Sequence, residues 1–211
     1  MKYILPIAIA SLGCAGDTGG LGQADVTTEC SPTDFACVTK GLDGPVAVGG
    51  VVPLALDFSI QGTSTPTVSL LSADPAVLKA AGTEVVGQAP GVAALVLVSE
   101  EGRAVDFLHV FVAAPKRLGM HRRDGGLDLG ELVDDVEMIV GDEMLVEVEP
   151  YIDSQRLLGH GSSEWSAGSS LTLLRDGTVG RRRIVARTPG DSTLTVKAFG
   201  FEKSLNIRVM P

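Results

Sequence analysis

Residues 188–196 read TPGDSTLTV, and residues 89–97 read APGVAALVL. Each stretch places Pro-Gly ahead of apolar residues at alternate positions. Proline presets φ for a tight turn, and glycine can take the positive φ that such a turn often demands. Alternation with a period of two then marks a strand with one buried face. Widening the comparison, VVGQAPGVAALVLV (85–98) aligns without a gap to IVARTPGDSTLTVK (184–197), so that Leu95 matches Leu194 and Leu97 matches Val196. Downstream, FLHVFV (107–112) matches SLNIRV (204–209), with Leu108, Val110 and Val112 opposite Leu205, Ile207 and Val209. Upstream, VAVGGVVPLALDF (46–58) and EMIVGDEMLVEVEPY (137–151) each carry alternating apolar residues around a glycine, Gly49 or Gly141. In the second of these, Met144, Val146 and Val148 alternate with Glu143, Glu147 and Glu149, which predicts a half-buried strand with one wet face. The chain writes one strand-rich unit twice.

Composition agrees. The 211 residues are 45% hydrophobic but only 4% aromatic, with 26 Gly and 11 Pro, and Val and Leu carry the apolar content. That mixture suits many short strands joined by turns. The net charge is −9, so nucleic acid phosphates and anionic lipid headgroups are poor partners.

The N-terminus reads MKYILPIAIASLGC. Its apolar run from Tyr3 to Leu12 is too short for a membrane span, which needs about 20 residues, and fits the core of a secretory signal. Ser11-Leu12-Gly13-Cys14 resembles the lipobox of bacterial lipoproteins, and that resemblance implies cleavage before Cys14 and a lipid on its thiol. Plain secretion is the alternative. Of the three cysteines, Cys30 and Cys37 stand close together in ECSPTDFAC and Cys14 is left over, an odd cysteine that lipidation would explain. If Cys30 and Cys37 pair, they close a small loop in an oxidising compartment. Zinc lacks the ligands it needs around these cysteines. Residues 15–29, AGDTGGLGQADVTTE, read as a flexible tether.

Both copies resemble bacterial immunoglobulin-like domains, group 2. The resemblance rests on the opening strand with its glycine, the Pro-Gly approach to an alternating strand and the closing strand. It rests also on VSLLSADPAVL (68–78) and EWSAGSSLTLL (164–174) in mid-domain, where Trp165 stands at the family's core tryptophan position and Leu70 takes that place in the first copy. The resemblance implies two tandem all-β sandwiches, at 46–113 and 131–211, behind a signal (1–13) and a tether (14–45), with a linker at 114–130.

The stretch KRLGMHRRDGGLDLGELVDDVE (116–137) is basic first (Lys116, Arg117, Arg122, Arg123) and acidic afterwards (Asp124, Asp128, Glu131, Asp134, Asp135, Glu137). A solvated linker is expected. Calcium at the domain junction is the weaker reading, since carboxylates suit that ion but the spacing is not that of an EF-hand. His160 near Ser162 and Ser163 suggests a hydrolase only superficially, because no Gly-x-Ser-x-Gly elbow is present and adjacency does not build a triad. A polar loop is expected there. His109, His121 and His160 share no spacing that predicts a metal site, and His109 is expected to point outward. RDGTVGRRR (175–183) opens with a hairpin signal, Asp-Gly, and is expected to end in solvated arginines.

No catalytic constellation, cofactor motif or metal-ligand pattern emerges. The functional expectation is a non-catalytic protein of the bacterial cell envelope. It is held by a lipid on Cys14 to the outer membrane, or else is periplasmic or secreted, and its domains serve as a binding, adhesion or spacer module for an unknown protein or glycan. A structural subunit of an envelope complex and a carbohydrate-binding accessory protein are the alternatives.

Overall fold

Alternating Val, Leu and Ile runs broken by glycine turns can bury their apolar faces only by pairing as sheets and packing two sheets together. A computed structural model describes residues 23–29, 41–59, 67–124, 127–133 and 135–211. The expected signal, Cys14, and the loop bearing Cys30 and Cys37 lie outside the described residues.

The first unit contains β1 (Gln23–Thr28), β2 (Val46–Ala47), β3 (Val51–Ser59), β4 (Val68–Ser72), β5 (Leu78–Ala81), β6 (Glu84–Gly87), β7 (Gly91–Ser99) and β8 (Ala104–Ala113). The second contains β9 (Arg117–Asp124), β10 (Leu127–Glu131), β11 (Val136–Ile139), β12 (Glu143–Ile152), β13 (Gln155–Arg156), β14 (Ser163–Ala167), β15 (Leu171–Arg175), β16 (Arg181–Ala186), β17 (Gly190–Ala198) and β18 (Phe201–Met210). No helix occurs among the described residues. The protein is all-β, as the sequence predicts.

The two units share one topology. One sheet runs β1-β3-β6-β5 in the first unit, and β9-β12-β16-β15 in the second, where β10 is added outside β9. The facing sheet runs β2-β8-β7-β4 and β11-β18-β17-β14. Short β2 and β11 each lie parallel to the last strand of their unit. The repeat seen in the sequence is reproduced in register, with Leu95 paired to Leu108 and Leu194 to Leu205. Leu70 pairs with Leu97 where Trp165 pairs with Val196, so these two residues are equivalent as expected. Trp165 packs against the second core and donates its indole N–H to Ser163 Oγ at 3.0 Å.

Both Pro-Gly turns lead into the strand that fills the core, with Leu95, Leu97, Leu194 and Val196 fully buried. Gly190 has φ 141°, and a Cβ there would stand 3.2 Å from Ser170 Oγ, so glycine is required by both backbone and space.

Two expectations give way. Residues 23–28 are not tether but strand β1, paired along β3 from Gln23–Ser59 to Thr28–Leu54. The β-branched run Val26-Thr27-Thr28 favours an extended edge strand, and Val26 packs on the first core. Likewise, the stretch read as linker 114–130 is mostly sheet. Only residues 114–116 separate β8 from β9, and β9 pairs with β12 over seven positions from Leu145–Arg123 to Tyr151–Arg117. Leu118 and Met120 on β9 supply apolar residues to the second core, which is the burial that makes this segment a strand.

The segment after β13 joins the units. Leu158 lies parallel to Val46, and His160 antiparallel to Val51. Four backbone hydrogen bonds cross there among the described residues: Leu158 N to Pro45 O (2.8 Å), Ala47 N to Leu158 O (2.8 Å), Val51 N to His160 O (3.0 Å) and His160 N to Val51 O (2.9 Å). The Leu158 side chain packs on the first unit's core. Between them Gly159 takes φ 102°, and a Cβ there would come within 3.1 Å of the Gly50 backbone and of Val52. The close approach of two glycines lets one backbone lie against the other.

Gly159→Val is therefore expected to open the junction without unfolding either sandwich. The φ strain alone costs about 1–3 kcal/mol. Calorimetry should resolve one cooperative transition for the wild type and two for the variant.

Candidate functional site: an ionic network buried on one sheet face

On β12, Met144, Val146 and Val148 enter the core as the alternation predicts. Residues Glu147, Glu149 and Tyr151 occupy the opposite face. The sequence reading makes that face wet; the structure covers it, leaving Glu147 4% and Glu149 2% exposed. Period-two alternation assigns parity along a strand, and it carries no information about what lies over each face.

The neighbouring strands supply counter-charges in register. His121 on β9 pairs with Glu147, and Arg123 stands one step along opposite Leu145. Arg181 on β16 flanks Glu147 from the other side. Gly119 stands opposite Glu149, and any Cβ there would meet the Tyr151 ring at 2.9 Å, so glycine makes room for the phenol.

The side chains interlock. Glu147 Oε2 accepts from Arg123 Nε at 2.8 Å and from Arg181 at 3.2 Å. Glu149 Oε1 accepts from Arg123 and, at 3.1 Å, from Arg156, while its Oε2 faces the Tyr151 hydroxyl at 3.1 Å. Asp128, on β10, meets His121 Nδ1 at 3.1 Å, the Gly130 amide at 2.9 Å and Arg123 at 3.2 Å. His121 Nε2 lies 2.7 Å from the Tyr151 hydroxyl. Arg117 reaches Glu131 at 2.7 Å and lies over the Tyr151 ring, 4.2 Å from its centroid.

The sequence misses this network because it reads 116–137 as solvated. Its two halves fold onto each other as the β9–β10 hairpin, so basic first half meets acidic second half. The signal was present: Asp124-Gly125 is the same dipeptide that announces the β15–β16 hairpin at Asp176-Gly177. The arginines of 181–183 are also not simply solvated. Arg181 is buried against Glu147, Arg182 lies 5.9 Å from the Trp165 ring centroid, and Arg183 pairs with Glu143 at 3.0 Å. His109 is exposed on β8, as expected. His160, expected in a polar loop, is held by the junction's backbone pairing.

Electrostatics favours a structural role. Burial pushes the Asp128 carboxyl up, but the Gly130 amide, His121 and Arg123 outweigh it and hold it below its ordinary value. Burial, reinforced by the Glu149 carboxylate, pushes the Tyr151 phenol well above its ordinary range, so it stays protonated and is a poor nucleophile. Because Asp128 is an acceptor, it places a proton on His121 Nδ1. The order Asp128, His121, Tyr151 copies a relay, yet Tyr151 is buried and its hydroxyl turns inward to Glu149. His121, Asp128 and Glu149 also place ligand atoms within 4.8 Å of one another. Arg123 and Arg156 already neutralise Glu149, and the carboxylates accept from arginine, amide and phenol. The donor set fits an internally balanced ion network better than a cation cage. The calcium reading weakens for the same reason, since Asp128 and Glu131 face arginines of their own hairpin.

No protein-family model matches the chain, and no curated protein matches it. Among solved structures, domains 4 and 5 of the S-layer protein SbsC align at 15% identity and a TM-score of 0.33, covering 73% of this chain and 82% of that one. The Yersinia pseudotuberculosis adhesin InvE aligns at 13% identity and 0.33, covering 80% and 57%. The Escherichia coli adhesin FdeC aligns at 13% identity and 0.32, covering 89% and 63%. The chain thus spans under two thirds of either adhesin structure. Likeness at this level transfers no function to this chain.

Glu149→Gln strips the charge that pairs with the buried Arg123 and the half-buried Arg156, and removing one partner of a buried pair costs about 3–5 kcal/mol. Arg183→Ala removes a half-exposed guanidinium that pairs with Glu143 and Asp176 and is expected to cost about 1 kcal/mol. Urea denaturation compares the two. Because the folded carboxyl of Asp128 is lowered, its contribution is complete above its ordinary value of 3.8 and is lost as pH falls through the folded value. Asp128→Asn should therefore flatten the acid limb of the stability–pH curve below about pH 4 and leave its slope at neutral pH unchanged.

Proposed function

We propose that the chain is a non-catalytic module of the bacterial cell envelope, anchored through a lipid on Cys14, in which the paired sandwiches hold a binding surface at a set distance and orientation. The observation that carries this reading is the junction. Four backbone hydrogen bonds and an inserted leucine join sandwiches that only residues 114–116 separate along the chain. A spacer benefits from such stiffness, since a flexible joint would let the distal surface sample many orientations. The chemistry of the ionic network supports the same reading, because its charged groups are spent on one another.

A subunit of a stable envelope assembly is the second reading, favoured by the exposed apolar side chains on the first sandwich, among them Phe107 and Phe111. Such a subunit would co-purify with its complex after mild detergent extraction, whereas a presentation module would extract alone. The glycan-binding alternative loses its most apt residue, since Trp165 packs on the core.

Metabolic labelling with a palmitate analogue tests the anchor. The wild type should take the label and Cys14→Ser should not, and protease added to intact cells should then degrade the labelled protein. Equal absence of label in both would remove the anchor and leave a secreted or periplasmic chain.

A further inference from the structure

The face of the first sandwich that meets Leu158 and His160 has a counterpart on the second. Val46 and Ala47 run beside Val112 and Ala113 as Met138 and Ile139 run beside Val209 and Met210. The tight turns that follow repeat each other bond for bond. Val48 N to Ala113 O (2.9 Å), Gly49 N to Gly87 O (2.8 Å) and Gly50 N to Ala47 O (2.9 Å) correspond to Val140 N to Met210 O (3.0 Å), Gly141 N to Ala186 O (2.9 Å) and Asp142 N to Ile139 O (2.9 Å). Val51 then corresponds to Glu143, since the one lies opposite Val86 and the other opposite Val185.

The backbone is the same and the side chains differ where it matters. At the joint the residues are small: Ala47 is fully buried, and a Cβ on Gly50 would stand 3.2 Å from Leu158 O. The second sandwich has Ile139 and Asp142 in their places. The Ala47 amide donates to Leu158 O at 2.8 Å, whereas the Ile139 amide donates to Asp142 Oδ2 at 2.8 Å. A carboxylate oxygen of the sandwich itself thus stands where the visiting carbonyl stands at the joint. Beside it Glu143, paired with Arg183, replaces Val51, whose amide and carbonyl both bond His160.

We infer that Asp142, with Ile139 and Glu143, closes this face to the Leu158–His160 segment of any other sandwich, so that the joint forms on the first sandwich alone. An incoming carbonyl has to displace an acceptor that is already attached, and a charged acceptor holds an amide more strongly than a neutral one. It also has to bring its backbone against a side chain where Gly50 offers none. Specificity of this kind comes from obstructing the wrong site as much as from fitting the right one. A segment that fitted both sandwiches would let one copy pair with the second sandwich of the next, and such a head-to-tail contact propagates into filaments unless it closes. The inference stands on the geometry of the joint and does not depend on the envelope reading.

Two measurements on the full chain test it. Hydrogen exchange at the Ile139 amide reads the cap directly: Asp142→Gly should speed it by about tenfold or more, while Asp142→Asn, which keeps an acceptor oxygen, should leave it slow. The second uses the peptide QRLLGHG, residues 155–161 of this chain, added at up to about 1 mM. The variant Ile139→Ala, Asp142→Gly, Glu143→Val installs the first sandwich's own residues on the second. It should keep the wild-type circular dichroism and bind the peptide about tenfold more tightly than the wild type does, with amide shifts at positions 139 and 143. A wild type that binds the peptide there as well as the variant does, or a variant that gains no binding, overturns the inference. So does an Ile139 amide that exchanges no faster in Asp142→Gly. Labelling at Cys14 is unaffected by each of these outcomes, so failure here is distinguishable from failure of the envelope reading.

Discussion

A buried carboxylate must be neutralised where it sits, and Glu149 is the group on which this molecule's architecture turns. Its oxygens meet Arg123, Arg156 and Tyr151. Arg123 belongs to β9, so the pairing holds the first strand of the second sandwich against β12. Arg156 begins the return of the chain toward the first sandwich, and Leu157 N bonds Pro150 O at 2.9 Å in the next step. Leu158 and His160 then pair with Val46 and Val51. One carboxylate thus stands at the base of both a sheet edge and an interdomain contact. Burying such charges is costly, and a well-packed apolar substitute is often at least as stable. What the ions add is directionality: a guanidinium fork fits a carboxylate in few geometries, which suits a position where one hairpin must be aimed at another domain.

The repeat was legible because burial inside a sandwich imposes period two on every inner strand, and the chain shows that period twice with matching turns. Leu95, Leu97, Leu194 and Val196 could be placed in the core from spacing alone. The equivalence of Leu70 and Trp165 also followed from order along the chain. Coverage of the outer faces was not legible. Glu147 and Glu149 alternate as solvent-facing residues do, and only the fold brings Arg123 and Arg156 over them. The segment 116–137 was misread because its charge density suggests solvent, whereas strand pairing needs only Leu118 and Met120 on the inner side. Val26 in β1 shows the same limit on a smaller scale: one apolar residue in a polar setting is weak evidence until its partner strand is known.

The two sandwiches have diverged on their surfaces while keeping their cores. Cross-strand pairs on the outer face read Val96–Phe107 in one and Thr195–Ser204 in the other. The β9–β10 hairpin, with its ionic network, has no counterpart among the described residues of the first. Each copy therefore spends its added chemistry in a different place. The first carries it on an open face, and the second uses it to hold its neighbour.

The pairing of Val46 and Val51 with Leu158 and His160 also has a meaning in time. Synthesis runs from the N-terminus, so the first sandwich is complete through β8 while the segment that pairs with Val46 and Val51 does not yet exist. At roughly 5–20 residues per second, that edge waits a few seconds with unpaired backbone donors and acceptors. An unsatisfied edge of that kind invites pairing with other chains. The arrival of Leu158 and His160 closes that edge with partners from the same chain.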